Sequence, residues 1–179
     1  MCEFLIHPTK IALPMTSSPY TKDVIKTWSE LHRDSRELAW ELLKKAPGDN
    51  KRWEGIIAVT RGGMIPAAII ARELNIRLID TLCISCYDDH QQVGELKVIK
   101  NTMLETDGQG YLVIDDLVDT GATLREVRRL LSAAHIATLY VKPSGEKLVD
   151  TFVDKFSQDT WVRFPWDMEL GYAQPLVNR

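Results

Sequence analysis

Three aspartates, Asp115, Asp116 and Asp119, stand directly before the small-residue turn Thr120-Gly121-Ala122-Thr123. Such a turn at the start of a helix offers backbone N–H groups, hydroxyls and the positive end of a helix dipole, a cradle suited to a phosphate monoester. Gly121 lets the backbone approach an anion closely, and Thr120 and Thr123 add hydroxyl donors. The adjacent carboxylates of Asp115 and Asp116 cannot bind the same anion, because like charges repel. They suit the vicinal hydroxyls of a sugar, a hydrated divalent cation, or both. One segment could therefore hold the phosphate and the diol of a single sugar phosphate. The plainer alternative is an acidic strand end capping a surface helix. A second stretch, Thr60-Arg61-Gly62-Gly63, places a guanidinium and two glycines ahead of another helical pattern and suits a second anion such as a pyrophosphate; taken alone it is an ordinary turn.

The elements that must position these residues are readable around them. Tyr111 to Ile114 is a short apolar strand entered by the turn Asp107-Gly108-Gln109-Gly110, and it releases the aspartates at its end. A helix is expected from Ala122 to Ser132, and a strand from Ile136 to Val141. Gly55 to Thr60 is continuously apolar, as expected of a parallel strand covered on both faces. A helix opens at Ile65-Pro66, with proline in the first turn, where it is tolerated. A further strand runs from about Arg77 to Cys86, and the polar, glycine-ended stretch Tyr87 to Gly94 reads as a mobile loop. Upstream, Trp28, Leu31, Ser35, Leu38, Ala39, Leu42 and Leu43 recur at helical spacing. Thr27 and Glu30 form a capping box, and Pro47-Gly48-Asp49-Asn50 ends that helix. His32, alone on it, reads as a surface residue. The last forty or so residues, rich in Trp, Pro and Asp, read as irregular. Alternating strands and helices predict an α/β fold, an open, mostly parallel sheet flanked by helices with right-handed crossovers. In such a sheet ligands sit at the carboxyl ends of strands, where both turns lie.

Bulk properties bound the class. The chain has 179 residues, 45% hydrophobic and 26% charged, with a net charge of −3, which fits a single soluble globular domain with no nucleic-acid footprint. Residues 21–179 read as that domain and residues 1–20 as a loosely ordered extension. The N-terminal stretch is broken by Pro8 and Pro14 and makes a poor signal peptide. Cys2, Cys83 and Cys86 are an odd set without framework spacing, as expected of a reducing compartment. Cys83 and Cys86 lack a second pair or a histidine cluster and read as ordinary strand residues. No apolar run is long enough to span a membrane.

VIDDLVDTGAT, with its apolar strand, acidic pair and small-residue phosphate loop, resembles the type I phosphoribosyltransferases. The segments IIAVTRGGMIPAAIIAREL, DTLCISCYDD, ELKVIK, VIDDLVDTGATL, YVKPSGEKLVDTFVD and QDTWVRFPWDM, in order from about Trp53 to Met168, resemble the purine-using bacterial members of that family that act on xanthine and guanine. The resemblance implies the type I phosphoribosyltransferase fold with a small C-terminal hood region. It implies transfer of 5-phosphoribose from 5-phosphoribosyl 1-pyrophosphate to N9 of guanine or xanthine, with hypoxanthine a further candidate, giving GMP, XMP or IMP plus pyrophosphate. Magnesium is the implied cofactor. Carried over residue by residue, Asp115 and Asp116 hold the ribose hydroxyls, with Asp116 in the magnesium shell. Asp119, Thr120, Gly121, Ala122 and Thr123 cradle the 5′-phosphate, in one sugar-pyrophosphate-binding run with Leu117 and Val118. Arg61 and Gly62 receive pyrophosphate, through a strained or cis peptide. Asp119 is the implied general base at purine N7, and otherwise a helix N-cap. Lys142 donates to the 6-oxo oxygen, where the amino group of adenine would oppose it. Trp161 stacks on the base, and the backbone around Trp161-Val162 reads the C2 substituent. Without the resemblance, Lys142 is an unremarkable strand end and Trp161 a packing residue. The family usually carries a basic residue in the mobile loop before ELK. Here Gln92-Val93-Gly94 stands instead, leaving His90, Lys97 or backbone N–H groups to serve.

The resemblance further implies a homotetramer or homodimer, a cytoplasmic location with at most peripheral inner-membrane association, and no nucleic-acid partner. A regulatory or RNA-binding protein that kept a phosphoribosyltransferase fold is the rival reading. Such a protein should show a basic face or lose the base-reading residues, and this chain keeps Asp119, Lys142 and Trp161. A relative that makes the sugar pyrophosphate would need an ATP site and a longer chain.

Overall fold

Thr27 starts the first helix with both halves of a capping box: its hydroxyl accepts from the Glu30 N–H, and the Glu30 carboxylate accepts from the Thr27 N–H at 2.8 Å. The computed structural model describes residues 20–49, 52–87 and 95–167. Its elements are β1 (Lys22–Ile25), α1 (Trp28–Lys44), β2 (Gly55–Thr60), α2 (Met64–Glu73), β3 (Ile79–Tyr87), β4 (Glu95–Lys100), β5 (Tyr111–Val118), α3 (Ala122–Leu130), β6 (His135–Val141), β7 (Thr151–Lys155) and β8 (Thr160–Arg163).

Among the described residues, six strands form one sheet in the order β4-β3-β2-β5-β6-β7, and β1 pairs with β8 apart from it. Every neighbour in the large sheet is parallel except β4, which runs antiparallel to β3. The fold is thus α/β, with a mostly parallel sheet and helices on both faces. Period-two alternation explains the continuous apolar strands. Ile56 and Ala58 of β2 join Leu112 and Ile114 of β5 in the core under α1 and α2, with Leu31, Leu38, Leu42 and Ile70. Ile57, Val59 and Val113 point the other way, into the core that α3 closes with Leu124 and Val127. Each of these side chains is at most 3% exposed, the burial on both faces that such a composition requires.

Several expectations are corrected. β5 does not stop at Ile114 but runs on to Val118, because β6 continues to pair with it through Val118↔Val141. ELKVIK is a strand, β4, held by β3. The C-terminal portion contains β7 and β8: β7 pairs with the preceding strand β6, and β8 with β1, far away in sequence. Trp28 and Leu43 share the helical spacing of α1 but are exposed, while Leu31, Ser35, Leu38, Ala39 and Leu42 form its buried stripe. α3 ends at Leu130, two residues short of Ser132, and α2 begins at Met64 with Pro66 still in its first turn. The turn before β5 is as read, with Gly108 and Gly110 at positive φ, and His32 is exposed. Cys83 is free and half-buried, and no cluster of three or more metal-ligating side chains exists among the described residues. Of residues 1–20 only Tyr20 is described, and the loop segment 88–94 lies outside the described residues. Among the described residues no helix is long and apolar enough to cross a membrane.

Candidate active site

β2 stays paired with β5 only as far as Ala58↔Ile114, although β2 continues to Thr60 and β5 to Val118. Beyond that point the chain leaves in opposite senses. From β2 it passes through α2 to β3 on one side, and from β5 through α3 to β6 on the other. This is a topological switch point, where an open α/β sheet leaves a crevice at its carboxyl edge. Both turns singled out in the sequence lie here. Arg61-Gly62-Gly63 crosses close over β5: a Cβ on Gly63 would run into the Ile114 carbonyl oxygen, and one on Gly62 into the Asp116 carboxylate. Glycine at 62 is therefore required by a close approach. The Thr60–Arg61 peptide is cis, and Arg61 is exposed.

Asp115 lies inside the paired part of β5, opposite Thr138, and is buried. Its Oδ1 accepts the Asp116 N–H at 2.9 Å, and Asp116 Oδ1 accepts the Leu117 N–H at 2.7 Å. Burial, then the charge of Asp116, pushes the Asp115 carboxyl well above the usual carboxylate range. Burial likewise pushes Asp116 up to about 6, against the hydrogen bonds that lower it. Two such carboxyls favour hydroxyl donors or a hard divalent cation. With so few protein ligands at hand, a cation here would take most of its shell from water and substrate oxygens, which is the habit of magnesium. The side chains of Leu117 and Val118 enter the two core layers, so these residues offer only their backbone to a ligand.

The following turn opens α3 with features that suit an anion. Gly121 caps α3 at φ 78°, and a Cβ there would meet Leu148 Cδ1 at 2.6 Å. The Ala122 N–H donates to Thr120 Oγ1 at 3.4 Å, a weak internal bond. No acidic side chain sits in the first turn of α3, so the dipole's positive end is not neutralised there. Arg125 donates from its guanidinium to the Thr120 carbonyl oxygen at 3.2 Å, bringing a cation alongside.

Asp119 turns away from this cradle toward three donors. Lys142, which follows β6 and is only 1% exposed, places Nζ 2.9 Å from Asp119 Oδ2. Its own N–H donates to the Val118 carbonyl oxygen at 2.8 Å, fixing it beside the end of β5. Gln158 Nε2 donates to Asp119 Oδ1 at 2.5 Å, and the Gln158 side-chain oxygen accepts the Ser144 N–H at 3.1 Å. The Tyr20 hydroxyl donates to Asp119 Oδ2 at 2.6 Å. That hydrogen bond, then burial, pushes the Tyr20 phenol up to about 12. The Tyr20 ring meets Trp161 edge-on, with centroids 4.7 Å apart. Asp119, Lys142 and Trp161 are thus gathered at one side of the crevice. The Val162 side chain packs in the core with Phe164, so only its backbone can face a ligand.

Residues 23–173 match the family model described as phosphoribosyl transferase domain. The chain is 52% identical over 164 residues to the xanthine-guanine phosphoribosyltransferase of Nitratidesulfovibrio vulgaris, covering 92% of this chain and 96% of that protein. It is 55% identical over 163 residues to the protein of the same name from Desulfotalea psychrophila, covering 91% and 98%. This chain belongs to the xanthine-guanine phosphoribosyltransferase family. The solved purine phosphoribosyltransferase from Pyrococcus horikoshii superposes with a TM-score of 0.68 at 26% identity, over 83% of this chain and 95% of that one. The xanthine-guanine-hypoxanthine phosphoribosyltransferase of Helicobacter pylori, at 21% identity and a TM-score of 0.66 over 83% and 96%, shares the fold. Within this family member, three neighbours of the site were not foreseen from the sequence. Gln158 opens the quoted QDTWVRFPWDM segment but gave no signal of its own. Arg125 sits one turn into α3, where arginine reads as solvated. Tyr20 fell in the stretch set aside as an extension.

Proposed function

We propose that the chain transfers 5-phosphoribose from 5-phosphoribosyl 1-pyrophosphate to N9 of guanine or xanthine, with hypoxanthine a further substrate, releasing pyrophosphate in purine salvage. One observation carries the reading: the RGG turn, the acidic pair and the small-residue turn converge at one switch point, with Asp119, Lys142 and Trp161 beside them. In this reading Arg61 and Gly62 receive the pyrophosphate, Asp115 and Asp116 hold the ribose hydroxyls, and the backbone from Leu117 through Thr123 holds the 5′-phosphate end. Breaking the bond at C1′ builds positive charge on the ribose and negative charge on the leaving group. Catalysis is then mainly positioning and electrostatic stabilisation, with no covalent nucleophile. Arg61 draws off the leaving charge. Asp119 accepts the proton or hydrogen bond at purine N7, which raises the nucleophilicity of N9. Lys142 donates to the 6-oxo oxygen, Trp161 stacks on the base, and the Trp161-Val162 backbone reads C2.

Magnesium fits the acidic pair, with Asp116 in its shell, and when bound it supplies Lewis-acid neutralisation of the pyrophosphate. A homodimer or homotetramer is the assembly proposed, with the exposed Trp40 and Leu43 of α1 as apolar surface for the contact. Light scattering of the purified chain distinguishes these from a monomer. The RNA-binding alternative is disfavoured by the net charge of −3 and by the clustering of the base-reading residues.

The test is a spectrophotometric assay with the sugar pyrophosphate, magnesium and each purine in turn. Guanine and xanthine should be consumed and adenine ignored, and Lys142→Ala should weaken binding of 6-oxopurines selectively. Rapid turnover of adenine, or an unchanged purine KM in the variant, overturns the assignment of the base site.

A further inference from the structure

Tyr20 is placed where a base would have to be. Trp161 lies 4.7 Å from its ring centroid, Lys142 Nζ lies 4.3 Å from the same centroid, and its hydroxyl donates to Asp119 Oδ2 at 2.6 Å. These are the three partners that the preceding section assigns to the purine. We propose that Tyr20 is an internal occupant of the base subsite, a phenol that holds the purine's place and must swing out before a base or nucleotide can bind. The proposal rests on the reading of Asp119, Lys142 and Trp161 as the base subsite.

The chemistry of the match is specific. A phenol offers a flat π-system and one O–H, as an oxopurine offers a flat π-system and an N7–H. The O–H is spent on the carboxylate oxygen that N7–H would use. The Lys142 ammonium, which would meet a 6-oxo oxygen, faces the ring of Tyr20 in a cation–π contact. Occupancy is mutually exclusive. Asp119 Oδ2 already accepts from Tyr20 and Lys142, and Oδ1 from Gln158, so an incoming N7–H finds the carboxylate taken until Tyr20 releases it. Tyr20 touches Trp161, Lys142 and Asp119 at once, so a base that uses the same three groups must displace it.

Pairing of the N-terminal strand with β8 begins one residue after Tyr20, where the Thr21 N–H donates to the Asp159 carbonyl oxygen at 2.9 Å. Tyr20 can therefore leave without unzipping β1. Of the residues assigned to the sugar pyrophosphate, Tyr20 donates to Asp119, whose carboxylate the preceding reading turns toward the base. The device thus weakens base and nucleotide binding while sparing the pyrophosphate substrate. A binding-competent fraction of about one in ten would weaken apparent nucleotide affinity about tenfold.

The test titrates the full chain and its Tyr20→Ala and Tyr20→Phe variants with GMP and, separately, with 5-phosphoribosyl 1-pyrophosphate, by calorimetry. Tyr20→Ala should bind GMP about tenfold more tightly, Tyr20→Phe by a smaller factor, and the sugar pyrophosphate within about twofold of the parent. Equal or weaker GMP binding by both variants overturns the proposal and makes Tyr20 a wall of the pocket. Lys142→Ala and Trp161→Ala are titrated alongside. If neither weakens GMP binding, the base-subsite reading fails and takes this proposal with it. If they weaken it while the Tyr20 variants leave it unchanged, only the occupant is refuted. Should Tyr20→Ala fail to fold, Tyr20→Phe decides alone, since it keeps the ring and removes the hydrogen bond.

Discussion

Asp119 accepts from Lys142, Gln158 and Tyr20, and this crowding decides what its replacement will do. Asn keeps one oxygen acceptor and loses the charge, so the site keeps its shape while the proton acceptor is gone. Asp119→Asn should lower kcat by about 10²-fold or more and leave affinity for the sugar pyrophosphate near the parent value, checked by steady-state kinetics and by titration. Equal losses in both would make Asp119 a scaffold and not a base. The variant also leaves the buried Lys142 ammonium without its counter-charge, a known cause of destabilisation. Its melting temperature must therefore be measured, so that a folding loss is not read as a catalytic one.

At the scale of the element, the crevice exists because β2 and β5 part company after Ala58↔Ile114 and the RGG turn drops into the gap. A methyl at position 62 has nowhere to go, since the Asp116 carboxylate fills the space. Gly62→Ala should shift either the turn or Asp116, and a displacement on the scale of 1 Å costs about a hundredfold in kcat/KM for the sugar pyrophosphate. Parallel kinetics and thermal melts check it: near-parent kcat/KM with a normal melt would show that the close approach is not needed for activity. Much of this architecture was legible in the sequence. The continuous apolar runs gave β2 and the start of β5, the capping box gave the start of α1, and the DTGAT turn gave the start of α3, because each is set by local chemistry. What was not legible depends on distant pairing. β5 continues through two aspartates, which no propensity favours, because β6 supplies its hydrogen bonds as far as Val118. β8 is a strand because β1, more than a hundred residues earlier, lies beside it. Trp28 and Leu43 carry the right spacing but stay largely exposed, Trp28 lying beside the Trp166 ring. The grouping of Lys142 and Trp161 near Asp119 was readable only by resemblance, since neither has a local signature, and Tyr20 had none at all.

In the molecule as a whole, the β1–β8 pair that carries Trp161 packs Val162 and Phe164 into the main core and is also tied to it by a buried polar knot. Lys26, just after β1, sits 3.4 Å from Asp34 of α1, and the Tyr140 hydroxyl of β6 donates to the same Asp34 oxygen at 2.6 Å. Arg33 closes the other oxygen from the surface at 2.7 Å, and Lys26 also lies over the Tyr140 ring. Burial alone would raise the Asp34 carboxyl, but the hydrogen bonds from Tyr140 and Arg33 and the charge of Lys26 outweigh it and hold it below the ordinary value. The sign follows. With its folded pKa below its unfolded one, Asp34 stabilises the protein fully above the unfolded value, near pH 4, and this contribution is lost as pH falls through the folded pKa. Asp34→Asn strands the nearly buried Lys26 and should cost about 3 kcal/mol, a melting-temperature drop of roughly 6–12 °C at pH 7 for a chain of this size. The gap between parent and variant should narrow as thermal melts are carried from pH 5 down to pH 3, because the parent loses what the variant never had. A constant gap across that range would show that Asp34 acts by shape alone. Because the knot anchors the strand pair bearing Trp161 and not the β2–β5 crevice, the variant's KM should rise for the purine and stay level for the sugar pyrophosphate. A rise in both would mean that the two halves of the site are held by one rigid body.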